Sequence, residues 1–163
     1  MTRHHALRPL SEEHQHVLEH CKALEAVIGT WDPRAHHAVR RFLEYWDGTF
    51  RIHLEAEERY VIRGLRDLEE QARFRSDCNA LRNLADLVRV STFDPTLMEA
   101  YLGGLVQGLR HHVRVAEWEV FEDVQDQVKP PHLETLARIL QEFRAKAKGP
   151  AMGARTGDGG GFS

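Results

Sequence analysis

Apolar residues recur along this chain at intervals of three and four, the repeat of an α-helix that turns one face inward. Leu10, His14, Val17, Cys21, Leu24 and Ile28 form a first stripe, and Val39, Leu43, Trp46, Phe50, His53, Glu57 and Val61 a second. A third runs through Phe74, Cys78, Leu81, Ala85 and Val88, and a fourth through Met98, Leu102, Leu105, Leu109, His112, Ala116 and Val120. Leu133, Leu136, Leu140 and Phe143 make a shorter fifth. The breaks between stripes carry the expected signals. Ser11 is a candidate N-cap with Glu12 and Glu13 in the first turn, and Gly29 is a stop. Asp32–Pro33 and Asp94–Pro95 each pair an N-cap with a proline at the first helical position. Gly64 is a weak break between the second and third helices, and Pro130–Pro131 ends the fourth.

The two halves overlay. Leu10, His14, Val17, Cys21 and Leu24 fall on Phe74, Cys78, Leu81, Ala85 and Val88, while Leu43, Trp46, Phe50 and His53 fall on Leu102, Leu105, Leu109 and His112. A helix pair repeated once with short loops predicts an all-α fold, an antiparallel up-down four-helix bundle. The expected organisation is a loose arm over residues 1–9, the bundle with its short fifth helix over 10–147, and a disordered Gly-rich tail over 148–163.

Composition narrows the function classes. A formal net charge of −3 offers no basic field for nucleic acid. No apolar run approaches the ~20 residues that span a bilayer, and the N-terminus lacks a signal-peptide core. Cys21 and Cys78 are too few for a disulfide framework, so a reducing cytoplasm is the expected compartment. The one unusual count is 11 histidines.

The candidate chemistry lies where polar residues interrupt the stripes. His53 and Glu57 sit four apart, one turn above the other, at positions where leucine is expected. A carboxylate there needs a partner, because an unpaired buried charge is costly. The overlay puts one such residue on each helix at matching depth: His14, His53, Cys78 and His112. Imidazole and carboxylate projecting inward from bundle helices is how helical proteins build non-haem iron sites. Glu117, five residues beyond His112, joins the set only through a local distortion such as a π-bulge, since that spacing lies ~140° off the stripe in a regular helix. Cys78 is as well explained as a small core hydrophobe. Tyr60 is expected near the site in a packing role, and His36, His37, His111 and His132 at the surface.

Three segments carry a resemblance: LSEEH ending at His14, His53-x-x-x-Glu57 followed by Glu58, and HVRVAEWEVF with His112 and Glu117. Over about residues 10–125 the chain resembles the hemerythrin-like, HHE cation-binding family. The resemblance implies a metal centre with His14, His53, Glu57, His112, Glu117 and Cys78 as candidate ligands. The third helix departs from the family pattern, with Cys78 where a histidine is usual. The implied cofactor is iron, as an oxo- or hydroxo-bridged pair or as a single ion held by His14, His53, Glu57 and His112; a thiolate from Cys78 would favour zinc. The implied roles are binding of O2, NO or peroxide, redox sensing, or iron handling, with sensing passed to a protein partner. The alternative is a structural or interaction module with a degenerate site holding one zinc or no metal.

Overall fold

A computed structural model describes residues 2–91 and 94–149; the expected tail from 150 onward, and Thr92 and Phe93 in the second turn, lie outside it. The described chain is helical from end to end, with no strand among the described residues. The first helix is Arg8–Val27. The second rod, residues 33–64, joins α-helix Pro33–Tyr45 and Arg51–Ala56 to π-helical turns Trp46–Phe50 and Glu57–Val61 and ends in a 3-10 turn, Ile62–Gly64. The third helix is Leu68–Val90. The fourth rod, residues 95–127, contains α-helix Pro95–Val115, a π-turn Ala116–Val120 and α-helix Phe121–Gln127. The fifth helix, Pro130–Ala147, has 18 residues and is not short.

The first helix packs on the second and fourth, and the third on the fourth, as expected for an up-down bundle. The fifth helix lies against the second around Arg51–Ala56 and Glu57–Val61. The third and fourth stripes are buried throughout, as is the first except at Ile28. In the second, Phe42 is fully buried and Leu43 only partly, so the apolar face sits one residue earlier than the spacing suggested. No helix of the described residues is long and apolar enough to cross a membrane.

Asp32 and Asp94 cap their helices as expected, accepting from the backbone N–H groups two and three residues on. Asp67 caps the third helix in the same way. Ser11 is not a cap: the first helix starts three residues earlier, and Ser11 lies inside it. The cause is an ordered arm. The His4 carbonyl accepts from the backbone N–H of Leu7 at 3.0 Å and of Arg8 at 3.2 Å, and Leu7 is fully buried. The segment 2–9 is therefore docked, not loose.

The second and fourth rods meet at Gly64. A Cβ there would stand 2.8 Å from Val128 Cγ2 and 3.2 Å from Val124 Cγ1, atoms of stiff β-branched side chains. At Gly103 an added Cβ meets nothing within 4 Å. Gly64→Ala should therefore destabilise by about 1–3 kcal/mol through overpacking. Gly103→Ala, mid-helix and unobstructed, should stabilise by about 0.5–1 kcal/mol. Thermal unfolding of the two variants checks the opposite signs.

Candidate metal centre

Three helices converge on one carboxylate. Glu57, on the second rod, is completely buried, as are His14 of the first helix and His53, while His112 of the fourth is 2% exposed. Glu57 Oε1 lies 3.1 Å from His14 Nε2 and 3.1 Å from His53 Nε2. Its Oε2 lies 3.0 Å from His112 Nε2. The two Nε2 atoms of His14 and His53 are 2.9 Å apart. Both oxygens of Glu57 and Nε2 of His112 have contacts at 3.0–3.1 Å but no hydrogen bond of regular geometry. Both carboxylate oxygens and three ring nitrogens thus crowd one enclosed point, the arrangement a cation satisfies.

Dimensions agree. One ligand atom from each of His14, His53, Glu57 and His112 can be chosen so that all lie within 4.8 Å of one another. Ligands of one ion at ~2.1 Å stand ~3.0–4.2 Å apart according to the angle between them, so a small adjustment brings all four onto a single metal. The wall is aromatic: Phe50 stacks on His53 at 4.7 Å between ring centroids, Phe74 lies 5.3 Å from His112, and Phe121 stacks on His14 at 5.5 Å. Leu105, Leu109 and Trp46, from the second and fourth stripes, are all buried.

Electrostatics follow from the enclosure. Burial pushes the Glu57 carboxyl up, but the imidazoles of His53 and His112 outweigh it and hold the group ionised, well below the usual range. Burial lowers His53, yet the facing carboxylates of Glu57 and Glu13 prevail and raise it to about 9. For His112 burial prevails and the pKa falls, so it stands neutral and ready to ligate.

Glu117 takes a different place from the one expected. The π-turn Ala116–Val120 is present, with the Phe121 N–H reaching back five residues to the Ala116 carbonyl. It sends Glu117 behind His14, where Oε1 stands 2.6 Å from Nδ1, the ring nitrogen facing away from the centre. Glu117 lies outside the four-residue group. Burial raises its pKa, but His14 and the neighbouring Ser11 and Arg3 bring it down overall.

Cys78 also lies outside the group. It is fully buried at the depth the overlay implied, and burial, followed by the charges of Glu57 and Glu58, pushes its thiol far above the usual range. A ligand must be a thiolate, so in the metal-free chain this is a core side chain. Asp77 is turned outward to His111, 3.4 Å away. Glu58 pairs with Arg82 at 2.8 Å, and Tyr60 packs on Phe143 with ring centroids 5.3 Å apart. The surface histidines 36, 37, 111 and 132 are exposed as expected.

Glu13 is a buried acid beside the cluster that the stripes alone did not single out. It is 6% exposed, its Oε1 lies 3.5 Å from His53 Nδ1, and Arg144 of the fifth helix pairs with it. The signal was available: Glu13 is three residues after Leu10 and four before Val17, so it shares the inward face with His14.

A second cluster, His4, His5 and Glu134, has donors close enough for a cation. His4 Nδ1, however, accepts the Ala6 backbone N–H at 3.1 Å, so neutral His4 carries its proton on Nε2, turned to Glu134 3.4 Å away. With His5 Nε2 2.7 Å from the same oxygen, this cluster is a hydrogen-bonded clip between arm and fifth helix.

Comparison with known proteins agrees with the geometry. The model of the hemerythrin HHE cation-binding domain matches residues 5–124. No curated protein and no solved structure matches the chain. With that span covering most of the sequence, the chain belongs to the hemerythrin HHE cation-binding domain family.

Proposed function

We propose that this protein holds a single iron ion through His14, His53, Glu57 and His112 and uses it to bind a small ligand such as O2, NO or peroxide, in oxygen binding, redox sensing or iron handling. The observation that carries the reading is the fully buried Glu57 carboxylate, whose two oxygens face three imidazole nitrogens at 3.0 and 3.1 Å in a site with no solvent. One ion is favoured over a pair because a second would have only His112 and one oxygen of Glu57, with Glu117 engaged behind His14 and Cys78 held as a thiol.

Iron coordinated by three imidazoles and one carboxylate supplies an open position for a small ligand. The chain's own residues decide what arrives there. His14, His53 and Glu57 have no exposure and the walls are Phe50, Phe74 and Phe121, so a diatomic molecule is admitted by small fluctuations while a larger substrate is not. The same walls keep water from the ion and strengthen each charge interaction around it.

One observation supports a second reading. Four protein ligands complete a tetrahedron, the closed coordination of structural zinc. Metal analysis with an optical spectrum on anaerobically purified protein separates the two. The first reading expects one iron per chain and a spectrum that responds to O2 or NO. Zinc alone, silent to both, would reject it.

His53→Ala and Glu57→Ala should each abolish bound iron and remove the thermal stabilisation that it confers, about 2.7 kcal/mol when free metal is a hundred times its Kd. Unchanged metal content in both would reject the ligand assignment. Cys78→Ser should leave the stoichiometry intact, as metal analysis of the variant will show.

The proton on His53 gives a pH signature. Below its raised pKa of about 9 the metal-free ring is protonated, and binding must expel that proton. Apparent affinity should rise about tenfold per pH unit between 7 and 9 and level off above, with one proton released per ion. Calorimetry in buffers of different ionisation enthalpy counts it. A flat profile over that window would show that the ring does not titrate on binding.

A further inference from the structure

The N-terminal arm and the fifth helix lie outside the repeated helix pairs, and neither supplies one of the four ligand-type side chains. Each delivers an arginine to a carboxylate standing behind one of them. From the arm, Arg3 Nη2 donates to Glu117 Oε2 at 2.9 Å and to the Glu117 carbonyl at 2.8 Å, and its guanidinium lies 5.3 Å over the Phe121 ring. The other oxygen of Glu117 stands 2.6 Å from His14 Nδ1. From the fifth helix, Arg144 pairs with Glu13, whose Oε1 is 3.5 Å from His53 Nδ1. The outer segments are themselves joined, His5 Nε2 lying 2.7 Å from Glu134 Oε1.

A neutral imidazole carries one N–H, and the hydrogen bond made by one nitrogen decides what the other can do. A carboxylate accepting from Nδ1–H fixes the proton there, frees the Nε2 lone pair and locks the ring plane. A carboxylate on a flexible side chain does this well only when it is itself held, and a guanidinium fork holds it in a fixed direction.

We propose that Arg3 and Glu117 are positioning residues for the metal centre: with the arm docked, they fix the His14 proton on Nδ1 and aim Nε2 at the Glu57 carboxylate. Arg144 and Glu13 stand behind His53 in the same order, Glu13 at 3.5 Å and without a hydrogen bond of regular geometry, so the positioning role is confined to His14. The inference rests on the reading of His14, His53, Glu57 and His112 as ligands. It makes the arm a handle on the centre, since anything that lifts residues 2–9 releases Glu117 from Arg3.

The test uses the full chain labelled with 15N-histidine, first metal-free and then titrated with cobalt(II). In the metal-free wild type, His14 should give a downfield Nδ1–H resonance protected from exchange, absent in His14→Gln. Glu117→Gln and Arg3→Ala should move that resonance upfield, and Arg3→Lys should restore it in part. Cobalt(II) affinity should fall about 10–100-fold in Glu117→Gln and less in Arg3→Ala, with a shift of the cobalt d–d bands. Resonance and affinity that stay unchanged in both variants, with only a lower melting temperature, would overturn the proposal and leave the arm a structural clip. A wild type that takes up no cobalt would instead sink the ligand reading. The resonance then decides alone: movement in Arg3→Ala keeps the relay from arm to ring, and a static signal removes it.

Discussion

A carboxylate with no solvent at all is the constraint on which this structure turns. Taking an ion of that size out of water costs several kcal/mol even after relaxation, so Glu57 has to be compensated from within. The compensation comes from three imidazoles on three helices, and so the polar centre fixes the depth at which the first, second and fourth helices meet. The third helix closes the bundle with apolar contacts through Phe74, Cys78 and Leu81 and contributes no ligand-type group to the centre. Outside the core, ion pairs between helices such as Arg110–Glu25 and Arg89–Asp47 are exposed and add little to stability.

Backbone irregularity is concentrated around that centre. π-helical turns occupy Trp46–Phe50 just before His53, Glu57–Val61 beginning at the carboxylate itself, and Ala116–Val120 just after His112. Each inserts a residue into the helical count and rotates the next turn of helix, with poorer hydrogen bonding as the cost. In the fourth rod the consequence is visible: a residue five positions after His112 reaches round to the first helix and meets His14. A regular helix would have turned it away from that partner. The two turns in the second rod bracket the His53–Glu57 pair in the same manner.

Much of this was legible in the chain because burial is written in the spacing. Every residue of the third and fourth stripes is in the core, and the three histidines and one glutamate that break the apolar pattern are the ones that meet. What was not legible depends on features the period does not carry. Leu43 gives way to Phe42 ahead of the first π-turn; both fit a 3.6-residue repeat between Val39 and Trp46, so the spacing alone does not choose between them. Ser11 looks like a cap because the residues before it lack a stripe, yet Leu7 and a turn built on the His4 carbonyl extend the helix backwards. Glu13 was readable, since it shares the face of His14. Arg3 was not: it sits in a stretch without periodicity, and its partner is more than a hundred residues away.

The aromatic wall of Phe50, Phe74 and Phe121 also sets a clock. In an open cleft, ligand exchange at an ion is governed by how fast water replaces a side chain. Here water has no standing path, so an ion held as proposed comes and goes only when the helices part, at a rate governed by the opening free energy of the bundle. Metal uptake and removal by chelators then both run at the pace of those openings, slowly and without global unfolding.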